Sequence, residues 1–256
     1  MSLVRSMSLV RSILFTLAFY LVTAVLLIGG LPALATRRSV VWLAQTWGRI
    51  ILRLLEAIVG LKVEFRGLEH RPAGACLVAA KHQSALETLA LVTVLDDFTY
   101  ILKRELMWLP LFGWYLARSE MVAIDRSKGS RALALMNEEA AAAMADGRRL
   151  IIFPEGTRRA PGAPPAYKYG VAHMYDRLGV PCLPVALNTG IFWGRRRLTY
   201  RPGTAIIEFL PVIPPGLPRD AFYAELQERI ETASDALVRE AGQPGSTRAA
   251  ARAQET

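Results

Sequence analysis

The sequence predicts an α/β fold: a mixed central sheet flanked by helices, preceded by an N-terminal helical membrane anchor. Three observations carry this. Short apolar runs of strand length recur between residues 61 and 210. Helical stretches fall between several of them, and that alternation buries both faces of a sheet. Ahead of both lies an uncharged segment of 23 residues, Ile13 to Ala35.

The bulk numbers set the frame. The 256 residues are 52% hydrophobic with a mean hydropathy of +0.26, which is apolar for a water-facing enzyme. The net charge of +9 calls for anionic partners. The densest basic run is only Arg195, Arg196, Arg197, so a lipid surface or phosphorylated substrate fits better than nucleic acid. Cys76 and Cys182 lie in apolar runs, as buried thiols of a reducing compartment do. His70, His82 and His173 have no metal-ligand spacing, so no metal site is expected.

The elements follow in order. Residues 1–6 and 7–12 repeat one hexamer, MSLVRS, read as a duplicated start and left out of the fold reading. Residues 13–35 are long enough to cross about 30 Å of hydrocarbon as a helix. A cleaved signal peptide would also place Ala33-Leu34-Ala35 at its end, but its apolar core would be shorter. In 39–59, Gln45, Arg49, Arg53 and Glu56 form one polar stripe on an otherwise apolar helix. Trp42 and Trp47 suit a membrane interface, so this helix lies at the interface or packs on the domain core. Residues 1–59 are therefore read as a membrane anchor, 60–242 as the main domain and 243–256 as a disordered polar tail.

Strands are expected at 61–66, 75–80, 99–102, 121–124, 150–153, 182–187 and 205–210. Helices are expected at 84–95, 130–146, 169–178 and 219–241. Gly147 and Gly179 stand where two of these should stop.

The chemistry concentrates after strands. Lys81-His82-Gln83-Ser84-Ala85-Leu86-Glu87 follows one and opens a helix. Inside a regular helix, His82 and Glu87 would sit about 140° apart. They meet only if His82 lies in the preceding turn, with Ser84 as N-cap and Glu87 at N3. The carboxylate then orients the imidazole and stabilises its protonated form. The same Ser-x-x-Glu is also a capping box, in which Glu87 bonds the Ser84 amide. A second block, Phe153 to Arg158, puts Glu155, Gly156, Thr157 and Arg158 on a turn after another strand, with a guanidinium suited to phosphate. A third, Lys103-Arg104, follows a strand and leads into Leu109-Pro110-Leu111-Phe112-Gly113.

Taken in order, these blocks resemble the glycerolipid acyltransferase family, of the 1-acylglycerol-3-phosphate O-acyltransferase type. That family carries His-x4-Asp, a Lys-containing block ending in Pro-x-x-Gly, Glu-Gly-Thr-Arg, and an apolar Val-Pro-x-x-Pro-Val block. Here they correspond to His82–Glu87, Lys103–Gly113, Glu155–Arg158 and Val180–Val185, within about residues 62–215. Position 87 departs from the pattern, with Glu where the family has Asp. A stiff Pro161-Gly162-Ala163-Pro164-Pro165 loop is a second departure.

The resemblance implies that His82, oriented by Glu87, deprotonates the free hydroxyl of 1-acyl-glycerol-3-phosphate. The alkoxide then attacks the thioester of acyl-CoA or acyl carrier protein. Arg158 and Lys103, with Arg104 beside them, would hold the phosphate, in a pocket shaped by Glu155, Gly156 and Thr157. Direct transfer is expected, without an acyl-enzyme, metal or bound cofactor. The partners implied are the lipid bilayer, lysophosphatidic acid and the acyl donor. The seat implied is the inner membrane, with the domain facing the cytoplasm. The same chemistry on another acceptor, a non-catalytic scaffold, and a Ser84 hydrolase remain as alternatives.

Overall fold

The computed structural model describes residues 2–125, 129–195, 197 and 199–242; the tail expected at 243–256 lies outside the described residues. The chain opens with α1 (Ser2–Gly29), a 3-10 turn at Leu31–Ala35, and α2 (Arg37–Val59). The helix thus runs through the repeated hexamer and ends before 35, where Pro32 falls in the 3-10 turn. Ser6–Gly29 is long and apolar enough to cross a membrane. Thr36 caps α2 by accepting the Ser39 amide at 3.1 Å, and Gly60 ends it with φ of 77°.

Seven strands form one sheet: β1 (Leu61–Arg66), β2 (Cys76–Ala80), β3 (Phe98–Lys103), β4 (Val122–Ile124), β5 (Arg149–Ile152), β6 (Cys182–Leu187) and β7 (Gly203–Phe209). The order is β1-β7-β6-β2-β5-β3-β4, parallel throughout except between β6 and β7. The remaining helices are α3 (Leu86–Leu91), α4 (Phe112–Arg118), α5 (Gly129–Ala145), α6 (Gly170–Leu178) and α7 (Arg219–Gly242).

The two-residue period of β2 divides the core. Leu77 and Ala79 join the cluster under α5, α6 and α7, while Cys76, Val78 and Ala80 face α2 and α3. β2 and β6 are buried along their whole length, which is why they read as continuous apolar runs rather than alternating ones.

Two differences from the sequence reading have local causes. The helix expected over 84–95 spans only Leu86–Leu91, since Thr93 folds its hydroxyl and amide back onto the Ala90 carbonyl. α4 was not expected, because seven residues beside Pro110 give too little periodicity to read.

The first two helices do not stand apart from the domain. Phe15, Ile51, Leu55 and Val59 share a buried cluster with Leu61, Leu86, Tyr200 and Ala205. Trp42 is exposed, but Trp47 turns inward and donates its indole N–H to the Thr23 hydroxyl at 3.0 Å. Core packing and exposed apolar surface thus occupy different faces of one helix pair.

Candidate active site

β6, β2, β5 and β3 are adjacent and parallel, so the loops leaving their carboxyl ends emerge at one edge of the sheet. In α/β sheets that edge is where ligands bind. Here it gathers His82 after β2, Glu155–Arg158 after β5, Lys103 at the end of β3 and Thr189 after β6.

His82 and Glu87 meet. His82 Nδ1 lies 2.9 Å from Glu87 Oε1, with the carboxylate fully buried. The same oxygen accepts the amides of Gln83 at 2.8 Å and Ser84 at 2.7 Å, while Oε2 accepts the Thr189 hydroxyl at 2.7 Å. The capping contact and the imidazole contact are therefore made together by one carboxyl oxygen. Ser84 sits one residue further out than expected: Ala85 is the N-cap, and the Ser84 hydroxyl accepts the Leu86 amide at 3.0 Å.

An ionised carboxylate only accepts hydrogen bonds, which assigns the imidazole proton to Nδ1 and leaves Nε2 as the free base. Phe153 stacks on the ring at 4.0 Å between centroids and fixes its plane.

The turn after β5 carries the histidine's backbone. Glu155 Oε2 accepts the His82 amide at 3.3 Å, and the Arg159 amide donates to the His82 carbonyl at 2.8 Å. Gly156, with φ of 65°, supplies the left-handed bend this requires. Glu155 is itself buried against Lys81 Nζ at 3.1 Å, and the same ammonium reaches Glu231 of α7 at 2.6 Å. Burial pushes the Glu155 carboxyl above its ordinary value, and the Lys81 charge opposes that shift.

A cavity of about 1000 Å³ opens beside the histidine. His82, Lys103, Glu155, Gly156, Thr157 and Arg158 all line it, with Glu87 immediately behind His82. Arg104 is exposed and does not line it. Among the described residues, the side chains of Lys103 and Arg158 make no hydrogen bond or ion pair. The cavity continues as an apolar channel between the two N-terminal helices and the sheet, past Leu26, Leu27, Val41, Ala44, Leu89 and Val92.

Cys76 and Cys182 are free and buried; burial pushes the Cys76 thiol up to about 11 and the Cys182 thiol higher still. Neither is a thiolate nucleophile near neutral pH.

Four contributors escaped the sequence reading. Phe153 and Lys81 adjoin motif residues, but nothing in their spacing shows a ring stack or a buried ion pair. Thr189 carries no signal at all. Arg195, which lines the cavity and donates to the Arg158 carbonyl at 3.2 Å, stands in the basic run that had no assigned role.

A base oriented by a buried carboxylate, unpaired cations and an apolar channel on one cavity make a site suited to moving an acyl group onto a polar acceptor. Comparison with known proteins places the chain in that class. An acyltransferase family model matches residues 62–188. The 1-acyl-sn-glycerol-3-phosphate acyltransferase of Pseudomonas aeruginosa is 32% identical over 231 residues, covering 88% of this chain and 90% of that protein. The chain belongs to the acyltransferase family.

Its similarity extends to the human 1-acyl-sn-glycerol-3-phosphate acyltransferase alpha, 30% identical over 169 residues, which are 65% of this chain and 60% of the human protein. Among solved structures, the 1-acyl-sn-glycerophosphate acyltransferase of Thermotoga maritima shares the fold. Its TM-score is 0.74 at 24% identity, over 89% of this chain and 96% of that one.

Proposed function

We propose that the chain transfers a fatty acyl group from acyl-CoA or acyl carrier protein to the free hydroxyl of 1-acyl-glycerol-3-phosphate, forming phosphatidic acid. The observation that carries this is the 2.9 Å contact between His82 Nδ1 and the buried Glu87, which leaves Nε2 free on a ring lining the cavity. His82 Nε2 takes the acceptor's hydroxyl proton as the oxygen bonds to the thioester carbon. The tetrahedral intermediate collapses, the C–S bond breaks, and the imidazolium returns the proton to the departing thiolate. Glu87 stabilises the imidazolium between these steps. Arg158 and Lys103 hold the phosphate as charged donors, and the apolar channel takes the acyl chain. The reaction runs by direct transfer and calls on no metal or bound cofactor.

The relatives named for 1-acyl-sn-glycerol-3-phosphate support the acceptor. The open cation pair supports a phosphate over a neutral head.

How α1 is held supports an in-plane membrane seat. Toward its start the Ser8 hydroxyl donates to the Tyr200 carbonyl at 3.2 Å and the Ser12 hydroxyl accepts the Tyr200 amide at 3.0 Å; near its end the Tyr115 hydroxyl donates to the Leu27 carbonyl at 2.8 Å. A helix of about 42 Å, fastened to the domain at both ends, lies along the membrane face with its exposed stripe of Leu14, Leu17, Leu21, Val25 and Ile28 in lipid. The domain then faces the cytoplasm, where the thioester donors are made, at the inner membrane.

The test is acyl transfer from labelled acyl-CoA to a panel of lysolipids and to monoacylglycerol. Phosphatidic acid as the dominant product supports the reading. Equal transfer to the phosphate-free acceptor contradicts it.

A further inference from the structure

In the block from Lys103 to Gly113 the sequence assigns a binding role to the cations alone, but the outer surface is the more unusual feature. The 3-10 turn Arg104–Trp108 and α4 form a hairpin that exposes Leu106 at 38%, Trp108 at 72%, Leu109 at 48% and Trp114 at 59%. Four large apolar side chains in nine residues, turned to the outside, form a patch of the kind that soluble surfaces avoid.

The hairpin is built to hold them out. Phe112 and Gly113 donate their amides to the carbonyls of Pro110 and Leu109 at 2.7 and 2.8 Å. Leu111 is held at φ of 61°, a region bulky residues rarely adopt. A Cβ at Gly113 would collide with the Met107 carbonyl, so only glycine permits this closeness. The hairpin is also bolted to the elbow between the first two helices. Arg118 donates to the carbonyls of Leu34 and Ala35 at 2.9 and 2.6 Å, beside the Tyr115 bond to Leu27. Its inner face closes the cavity through Phe112, Tyr115 and Leu116, across from Leu26 and Leu27.

We propose that this hairpin is a second membrane contact, seated among the lipid headgroups beside α1. The proposal rests on the in-plane seat of α1. The hairpin is bonded directly to the end of that helix and to the elbow after it, where Leu31 is also exposed. Its chemistry is interfacial, with indoles that have one polar edge and Arg104 exposed without a side-chain partner among the described residues. Anionic headgroups suit such a cation. With the outer face in the headgroup layer and the inner face on the cavity, the hairpin sets the mouth of the site at the depth where a lysolipid's phosphate lies.

The experiment uses the full chain with Trp42, Trp47 and Trp193 replaced by phenylalanine, which leaves Trp108 and Trp114 as reporters. It is placed in vesicles of phosphatidylglycerol and phosphatidylcholine, with or without bromine near the carbonyl end of the acyl chains. A blue-shifted emission that the brominated lipid quenches supports the proposal. Emission of water-exposed indole in both vesicles overturns it, as does a blue-shifted emission that the brominated lipid leaves unquenched in protein that self-associates, which would assign the patch to a second copy. The variant W108S/W114S, altered only at exposed positions, should keep its activity on a short-chain, water-dispersed acceptor. It should lose activity several-fold on acceptor embedded in vesicles, and equal activity on both counts against the proposal. Quenching is read without catalysis, so failure of this proposal and failure of the acyltransferase reading are told apart.

Discussion

The two walls of the cavity are built on opposite principles. Behind the inner wall the buried charges are paired: Glu87 accepts from four donors, and Lys81 bridges Glu155 and Glu231. On the outer wall Lys103 and Arg158 have no side-chain partner among the described residues, and the rest of the lining is largely apolar. The inner wall is preorganised and keeps its geometry without substrate. The outer wall is completed by what binds there. Substitutions on the inner wall should therefore disturb rate or stability, and those on the outer wall should disturb binding.

The largest effect expected on the inner wall is from Glu87→Gln. The amide oxygen retains the bonds to His82, Gln83 and Ser84, and the amide nitrogen can face the Thr189 hydroxyl, so the fold should survive. The charge that stabilises the imidazolium is gone, and kcat should fall by about 10²–10⁴-fold. Steady-state rates together with an unchanged thermal midpoint would establish this. An unchanged kcat would show that Glu87 is a capping residue only.

Lys81→Met probes stability instead. It strands a buried carboxylate at Glu155 and should cost about 3–5 kcal/mol. The double variant Lys81→Met/Glu155→Gln should recover part of that loss in denaturant unfolding. If the single variant is as stable as the parent, the inner wall is not held by this pair.

Arg158→Ala moves the test to the cations without a partner. Losing one charged contact of about 1.5–3 kcal/mol should raise the acceptor KM by about ten- to a hundredfold and leave kcat nearly unchanged. The effect should vanish with monoacylglycerol. A fall in kcat with KM unchanged would erase the distinction between the walls.

The smallest effect is expected away from both. Arg66 donates to both oxygens of Glu240 at 2.9 and 2.8 Å and holds that carboxyl below its ordinary value. A depressed carboxyl contributes stability above its unfolded pKa and loses it as pH falls through the folded one. Acidification should therefore lower the amide-exchange protection factors at the end of α7, taken relative to the intrinsic rate at each pH, and Arg66→Ala should remove that pH dependence without changing acyl transfer.

What was legible in the sequence follows the same division. His82 and Glu87 could be read together because their contact is local: a strand, a turn and a helix start within seven residues dictate it. β2 and β6 were legible from unbroken apolar runs, and α5 and α6 from the glycines that stop them. Thr189 was not, because the bond to Glu87 is made by a hydroxyl 102 residues away and depends on β6 lying beside β2. Lys81 reads as half of a charged pair on a turn, and only the arrival of α7 makes it a buried bridge. Arg104 shows the opposite failure. Adjacency to Lys103 suggested a shared role, but neighbouring residues at a strand end point apart, and only Lys103 faces the cavity.

The central claim is that the His82 imidazole removes the acceptor's proton within an already folded site. The most direct measurement is single-turnover transfer from acyl-CoA to 1-acyl-glycerol-3-phosphate by His82→Ala, with circular dichroism and thermal midpoint alongside. The expected result is a native fold and a transfer rate lowered by about 10²–10⁴-fold. A folded variant that still transfers at the parent rate would contradict the claim.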